Sequence, residues 1–297
     1  MSMGAHQVIA QSHVSEADLQ AIRALAALCN AADGLELKVN LSPLPEERPS
    51  RFLVYDDGTL VGYASLDGDR EPELCGMVHP DHRRRGLGRA LYEAVLRECR
   101  DRAATEMLVI CESASTAGRA FVGGTGAVYD FAEHHMERDA GPDTDNYSGD
   151  GRVTVERVKP DTASLIAPIL AVSFEDTEAS VTRRITADFA DPDTTYYLGR
   201  LGDTPVGALK VYHWGTKAGI YAFGVLPAYR GQGLGRAILM QTLALLPAEG
   251  MTRFALEVET DNTPAVRLYE STGFVTLTTY GYYKLTFERP ATATSTP

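Results

Sequence analysis

The sequence predicts a mixed α/β (α+β) protein built from two tandem copies of one domain, with antiparallel strands early in each copy and helices packed on the sheet. Three observations predict it. The stretches "VHPDHRRRGLGRALYE" at 78–93 and "VLPAYRGQGLGRAILM" at 225–240 stand 147 residues apart and share "GLGRA" letter for letter. Segments of strand and helix period follow in the same order in both halves. Between the copies lies "DAGPDTDNYSGDGR", rich in Asp and Gly and almost free of aliphatic residues, which reads as an exposed linker.

The repeat is more than one motif. In the same register Pro80 matches Pro227, Arg83 matches Arg230, Glu112 matches Glu259, and Thr125-Gly126 matches Thr272-Gly273, without a gap from 78 to 126. The expected limits are a first domain over 1–140, a linker over 141–151, a second domain over 152–289, and a disordered tail over 290–297. The second copy opens with strand "RVTVERV", helices over 161–174 and 178–189, and a hairpin "TYYLGRLGDTPVGALKVYHW". Strand "AGIYAFGVL", the glycine loop, a helix to about Leu246, strand "RFALEVE", helix "TPAVRLYESTG" and a last strand or hairpin "TLTTYGYYKLTF" follow. The first copy runs in parallel, from a helix over 15–30 through "RFLVYDDGTLVGYASL", "ELCGMV", the loop and helix, and "MLVICE".

Composition narrows the function classes. The 297 residues are 44% hydrophobic, enough for two real cores. No apolar run reaches the length of a membrane span, and the N-terminus lacks the pattern of a secretory signal. The four cysteines, Cys29, Cys75, Cys99 and Cys111, form no Cys-x-x-Cys pair, so neither a zinc site nor a disulfide framework is expected, and a reducing cytoplasm is the simplest setting. The net charge of −12 argues against nucleic acid as a partner and suits a cationic acceptor, although solubility alone also explains it.

The glycine loop carries the chemistry. A helix N-terminus presents N–H groups without helical partners and a partial positive charge. In "RGQGLGRA", Gly231, Gly233 and Gly235 let the backbone approach a ligand, while Arg230 and Arg236 add charge suited to phosphate oxygens. Such a loop is built to hold a pyrophosphate. No Gly-Lys-Ser/Thr follows, which excludes the Walker loop, and the glycine spacing with no leading βαβ unit excludes the dinucleotide fingerprint.

Together, the order of elements and the pattern V-x-P-x-x-R-x-x-G-x-G resemble the acetyl-CoA-binding loop of the GNAT acetyltransferase superfamily. The stretch "NTPAVRLYESTGF" at 262–274 resembles a later motif of the same family, and the likeness covers nearly the whole chain. It implies two GNAT-like domains, each a mixed, mostly antiparallel twisted sheet flanked by helices, with acetyl-CoA as cofactor. Carried over residue by residue, the cofactor contacts are Phe223, Gly224, Val225, Arg230, Gly231, Gln232, Gly233, Leu234, Gly235, Arg236 and Asn262 in the second copy. In the first copy they are Val78, Arg83, Arg84, Arg85, Gly86, Leu87, Gly88 and Arg89. The strand ending at Val225 is expected to splay from 254–259, and a backbone N–H near 223–225 to face the oxyanion formed when an amine attacks the thioester.

The resemblance makes Tyr269 the general acid for the departing thiolate; a helix tyrosine packed on the sheet is the plainer alternative. Asn262 stands where a helix cap belongs and could also touch cofactor or acceptor. Glu259, Glu257 and His213 are the candidate bases, with Glu257 and Glu259 on one side of their strand. Glu175, Asp176 and Glu178 could attract a cation, and Tyr280, Tyr282 and Tyr283 could line the acceptor pocket. In the first copy Tyr269 becomes Val122, Asn262 becomes Ser115 and Phe274 becomes Ala127, so that copy is expected to hold CoA weakly or structurally and not to transfer. Cys111 beside Glu112 reads as a small buried apolar residue. The expected function is acetyl transfer to a primary amine on a small molecule or peptide, by a monomer or homodimer with no nucleic-acid or membrane partner. Two alternatives stand beside it: a CoA-binding pseudoenzyme or sensor, and acetylation of a small thiol-containing amine, as in similar tandem members of the family.

Overall fold

The computed structural model describes residues 7–39, 41, 48–68, 71–141, 149 and 151–287. Most of the expected linker and the whole expected tail over 290–297 lie outside the described residues. The chain divides into two compact units. Unit 1 comprises residues 1–133 and 278–297, and unit 2 comprises residues 134–277. These units do not coincide with the sequence copies, because the last strand of each copy runs from one unit into the other.

In unit 1, α1 (Glu16–Asp33) is followed by strands β2 (Arg51–Asp56), β3 (Thr59–Asp67) and β4 (Glu73–Val78), then α2 (Leu87–Asp101), β5 (Glu106–Glu112) and α3 (Thr116–Val122). The short β1 (Ile9–Gln11) pairs antiparallel with β2. Ser15 caps α1 by accepting from the Asp18 N–H, and Gly34 ends it in the left-handed region. Asp57-Gly58, both at positive φ, close the β2–β3 hairpin. The β3–β4 pair is antiparallel and β4–β5 is parallel. One core packs α2 and α3 on this sheet, and a second packs α1 on its other face.

In unit 2, β7 (Val153–Arg157), β8 (Thr194–Leu201), β9 (Thr204–Trp214) and β10 (Lys217–Val225) pair antiparallel in series. β10 pairs parallel with β11 (Arg253–Glu259). The expected helix over 161–174 is a 3-10 turn over Pro160–Leu165 followed by α4 (Ala167–Ser173), and α5 spans Glu178–Asp188. These cover one face of the sheet, while α6 (Leu234–Leu245) and α7 (Thr263–Ser271) cover the other.

The final strands β6 (Val128–Asp139) and β12 (Val275–Thr286) are single strands of 12 residues each, and their limits preserve the 147-residue register to the last position. Residues 134–139 of β6 belong to unit 2, where β6 neighbours β11. From Tyr280 to Thr286, β12 pairs antiparallel with β5 of unit 1. Tyr280 and Tyr282 are therefore core residues of unit 1, 3% and 2% exposed. Replacing Tyr282 with Ala should cost about 3–5 kcal/mol. Hydrogen exchange should show the loss in β2–β5 of unit 1, although Tyr282 belongs by sequence to the second copy.

Candidate active site

The site in unit 2 starts from a break in strand pairing. β10 and β11 are hydrogen-bonded from Lys217–Arg253 to Ile220–Leu256 and no further, although both strands continue. Between Tyr221 and Gly224 the register of β10 against β9 shifts at a bulge, with Ala222 at φ 45°. A bulge leaves backbone groups outside the ladder and turns the strand. Phe223, Gly224 and Val225 thus lie along an open gap rather than inside a continuous sheet.

Directly after the gap comes the glycine loop. Gly231 and Gly233 stand at φ 73° and 79°, where a side chain would be strained. No atom lies within 4 Å of where a Cβ on Gly231 would stand. The first helical bond of α6 runs from the Ala237 N–H to the Gly233 carbonyl, so the N–H groups of Leu234, Gly235 and Arg236 have no helical acceptor. Arg230 donates from Nε to the Val225 carbonyl at 2.8 Å, which ties the loop to the strand end. Arg236 is exposed and caps the end of α7 through the Ser271 carbonyl at 2.9 Å. The Arg152 side chain, which the sequence reading did not single out, donates to the Gln232 carbonyl at 3.3 Å and adds a further cation beside the loop. These groups fit a pyrophosphate: bare N–H donors, positive charge and open space at one helix start.

Tyr269 lies on α7 and is 8% exposed, packed edge-on to Phe274 with ring centroids 6.0 Å apart. Burial pushes its phenol up to about 12. Asn262 is exposed and caps α7 by accepting from the Ala265 N–H at 3.3 Å. In unit 1, Ser115 caps α3 in the same way through the Gly118 N–H at 3.0 Å, so the cap survives the change of residue.

The candidate bases separate. Leu256 and Val258 pack toward α6, so Glu257 and Glu259 take the opposite face, as expected from their alternation. His213 does not join them. Its strand neighbours Leu209 and Val211 pack toward α6, which puts His213 on that face, beside Glu249 at 3.9 Å. It is level with Ala218, roughly 20 Å along β10 from Val225 at the usual strand rise. The face holding Glu257 and Glu259 also carries Tyr221, Tyr212 and Trp214. Gly219 lies beneath this aromatic group: a Cβ there would stand 2.6 Å from the Tyr221 ring and 2.7 Å from the Trp214 ring. Asp176 accepts from the Thr177 N–H at 2.7 Å and lies 3.3 Å from Arg184; the hydrogen bond foremost holds its carboxyl low.

The expectation that Tyr280, Tyr282 and Tyr283 line this pocket is corrected by the strand exchange, which gives them to unit 1. The positions equivalent to Tyr280 and Tyr282 in unit 2 are Glu133 and His135, of which His135 lies in unit 2 on the face of Glu257. His135 Nδ1 stands 3.8 Å from Glu257, and its Nε2 lies 3.1 Å from Glu137. No sequence signal marks these residues, since they lie in the other copy.

Unit 1 keeps the loop and loses the rest. Arg83 reproduces the bond of Arg230, from Nε to the Val78 carbonyl at 3.2 Å, but its guanidinium also grips Asp33 at 2.9 and 2.6 Å. That hydrogen bond is the main reason the Asp33 carboxyl lies below the usual range. Arg84 stands where unit 2 has Gly231 and adopts φ 62°, which strains a residue with a side chain. β4 pairs with β3 without a bulge, and Val122 is buried in the core. The face equivalent to that of Glu257 is covered: the Glu36 carbonyl accepts from Tyr280 at 2.9 Å, and Lys38 donates to Tyr282 at 2.6 Å.

A sheet opened beside a bulge and leading into a phosphate-shaped loop suits an acyl-CoA-dependent acyltransferase, the class to which comparison with known proteins assigns the chain. The chain belongs to the acetyltransferase (GNAT) family, whose model matches residues 19–122 and 163–274. It is an N-acetyltransferase of the kind that uses an acyl-CoA donor. A mycothiol acetyltransferase of Streptomyces scabiei is 31% identical over 307 residues, covering 95% of this chain and 96% of that protein. One from Thermobispora bispora is 31% identical over 291 residues, covering 90% and 96%. Among solved structures, a GCN5-related N-acetyltransferase from Sphaerobacter thermophilus matches with a TM-score of 0.78 at 22% identity, over 94% of this chain and 95% of that one. A tandem GNAT protein from the clavulanic acid biosynthesis pathway matches with a TM-score of 0.71 at 16% identity, over 96% and 100%. No helix among the described residues is long and apolar enough to cross a membrane.

All four cysteines are buried, and burial pushes the Cys99 and Cys111 thiols up to about 11. The folded protein should therefore show no reactive thiol toward a disulfide reagent at pH 8, and should show four after denaturation. Titration with and without denaturant reads this directly; a fast-reacting thiol in the native protein contradicts it.

Proposed function

We propose that unit 2 moves an acetyl group from acetyl-CoA to a primary amine by direct attack, with Tyr269 as general acid, and that unit 1 does not transfer. The observation that carries this reading is the succession of open ladder, bulge and glycine loop in unit 2, with Tyr269 in the core that packs beneath it, set against the covered, bulge-free counterpart in unit 1. Acetyl-CoA brings the thioester that the amine attacks. The N–H groups of Leu234, Gly235 and Arg236, with Arg230, Arg236 and Arg152, take the pyrophosphate oxygens. Gln232 and Gly231 shape the loop, and the backbone of Phe223 to Val225 faces the pantetheine arm and the developing oxyanion. Asn262 starts α7 and holds Tyr269 in register with the gap. Glu259, exposed at the end of β11, and Glu257, one alternation deeper, draw a cationic acceptor to this face.

Burial suits Tyr269 to its role. A phenol titrating at about 12, against an ordinary value near 10, keeps its proton across the neutral and mildly basic range. It therefore stays available to the departing thiolate wherever the acceptor amine is deprotonated. The full-length likeness to proteins named mycothiol acetyltransferase favours an acceptor of that type as the first to try.

The test is thiol release from acetyl-CoA with a panel of amines. Tyr269→Phe should lower kcat by about 10²–10⁴-fold with the KM for acetyl-CoA little changed. Wild-type turnover should show no basic limb from Tyr269 below about pH 11, because the raised value delays loss of its proton. By contrast, Arg85→Ala in the exposed loop of unit 1 should leave turnover within a few-fold of wild type. Full activity in Tyr269→Phe together with loss in Arg85→Ala would falsify the assignment of the units.

A further inference from the structure

The exchanged strand β6 places a proton-accepting group in unit 2 that the second sequence copy does not encode. Met136 points into the α6 core, so His135 and Glu137 project to the opposite face, the one that holds Glu257 and Glu259. Glu137 is 7% exposed. Burial pushes its carboxyl up, but hydrogen bonds from Lys217 and His135 outweigh that and hold it below the usual range. Arg253 stands 3.7 Å away on its other oxygen. Glu137 is thereby an anchored anion, and it lies 3.1 Å from His135 Nε2. A carboxylate accepts, so Nε2 carries the hydrogen toward Glu137, and Nδ1 is the ring nitrogen at which a second proton is gained or lost. Nδ1 is directed at Glu257, at 3.8 Å. Glu257 follows Leu256, the last residue of β11 paired to β10, so the pair stands where the gap opens.

We propose that His135, oriented by Glu137 and acting with Glu257, takes the proton from the acceptor ammonium in unit 2. This rests on the acetyltransferase reading of unit 2. The ammonium gives one proton to the pair through Glu257, which faces Nδ1 at 3.8 Å, and the same carboxylate returns it to solvent after transfer. The freed amine lone pair forms the new C–N bond, and the C–S bond breaks with its electrons on sulfur. Tyr269 supplies the proton of the thiol, and the proton lost from nitrogen on collapse restores the phenol. One proton leaves per turnover, as the conversion of an ammonium and a thioester to an amide and a thiol requires. A consequence follows for the duplication: unit 2 is incomplete without residues 134–139 of the first copy, which explains why a transfer-silent copy remains joined to it.

The experiment compares full-length wild type, His135→Gln, His135→Ala and Tyr269→Phe. Readouts are acetyl-CoA affinity by calorimetry, thermal midpoint, and kcat and KM with the best amine of the panel. His135→Gln should keep acetyl-CoA affinity within about threefold and lose about 10²-fold or more in kcat, the range of a lost acid–base group. Added imidazole should restore part of the kcat of His135→Ala and leave that of Tyr269→Phe unchanged. If both His135 variants fold, bind acetyl-CoA and turn over within about threefold of wild type while Tyr269→Phe is impaired, the proposal is overturned and the acetyltransferase reading stands. Lost turnover in His135→Ala that imidazole does not restore, in a protein with an unchanged midpoint, also overturns it. A wild-type protein that binds acetyl-CoA but turns over no amine overturns both.

Discussion

The site depends on where the parallel pairing of β10 and β11 stops. As far as Ile220 and Leu256 the two strands satisfy each other's backbone groups. Beyond that point the bulge at Ala222 turns β10 away, and the freed backbone needs other partners. The helix start at Gly233, with N–H groups that have no helical acceptor, follows directly. Ladder, bulge, loop and helix follow without interruption from Lys217 to Leu245, so the geometry of the site is local to one stretch of chain. The rest of unit 2 serves to hold that stretch open: α6 and α7 pack beneath it, and α4 and α5 cover the neighbouring strands.

The two copies share the loop and differ in what surrounds it. Both have the loop, the helix start and the arginine that folds back on the strand end. The difference lies around them. In unit 1 the strand stays regular, α1 and the residues after it cover the sheet face opposite α2, and Asp33 holds Arg83. Each of these changes favours a closed, satisfied structure over an open one. The loop therefore does not by itself make an open face, because a glycine-lined helix entry also serves as a turn between strand and helix.

The exchange of β6 and β12 makes each unit depend on the other copy. β12 brings two buried tyrosines to unit 1, and β6 brings Glu137, His135 and Met136 to unit 2. Antiparallel pairing along β5 from Glu106 to Glu112 buries backbone and side chains together, so neither strand can be withdrawn without opening a core.

The sequence by itself determined the duplication, the order of elements, the loop and its helix, and the family, because each is carried by residues close together in the chain. Gly231 and Gly233 demanded positive φ, Asn262 and Pro264 announced a helix start, and the alternation of Glu257 with Leu256 and Val258 set the faces of β11. What only the tertiary structure decided involves partners far apart in sequence. His213 lay close to the site by residue number, yet its side chain falls on the wrong face and at the far end of β9. Tyr280 and Tyr282 had the composition of a pocket, yet they complete the other core. His135 and Glu137 reached the site from the other copy, since hydrogen bonding between strands takes no account of which copy supplied the strand.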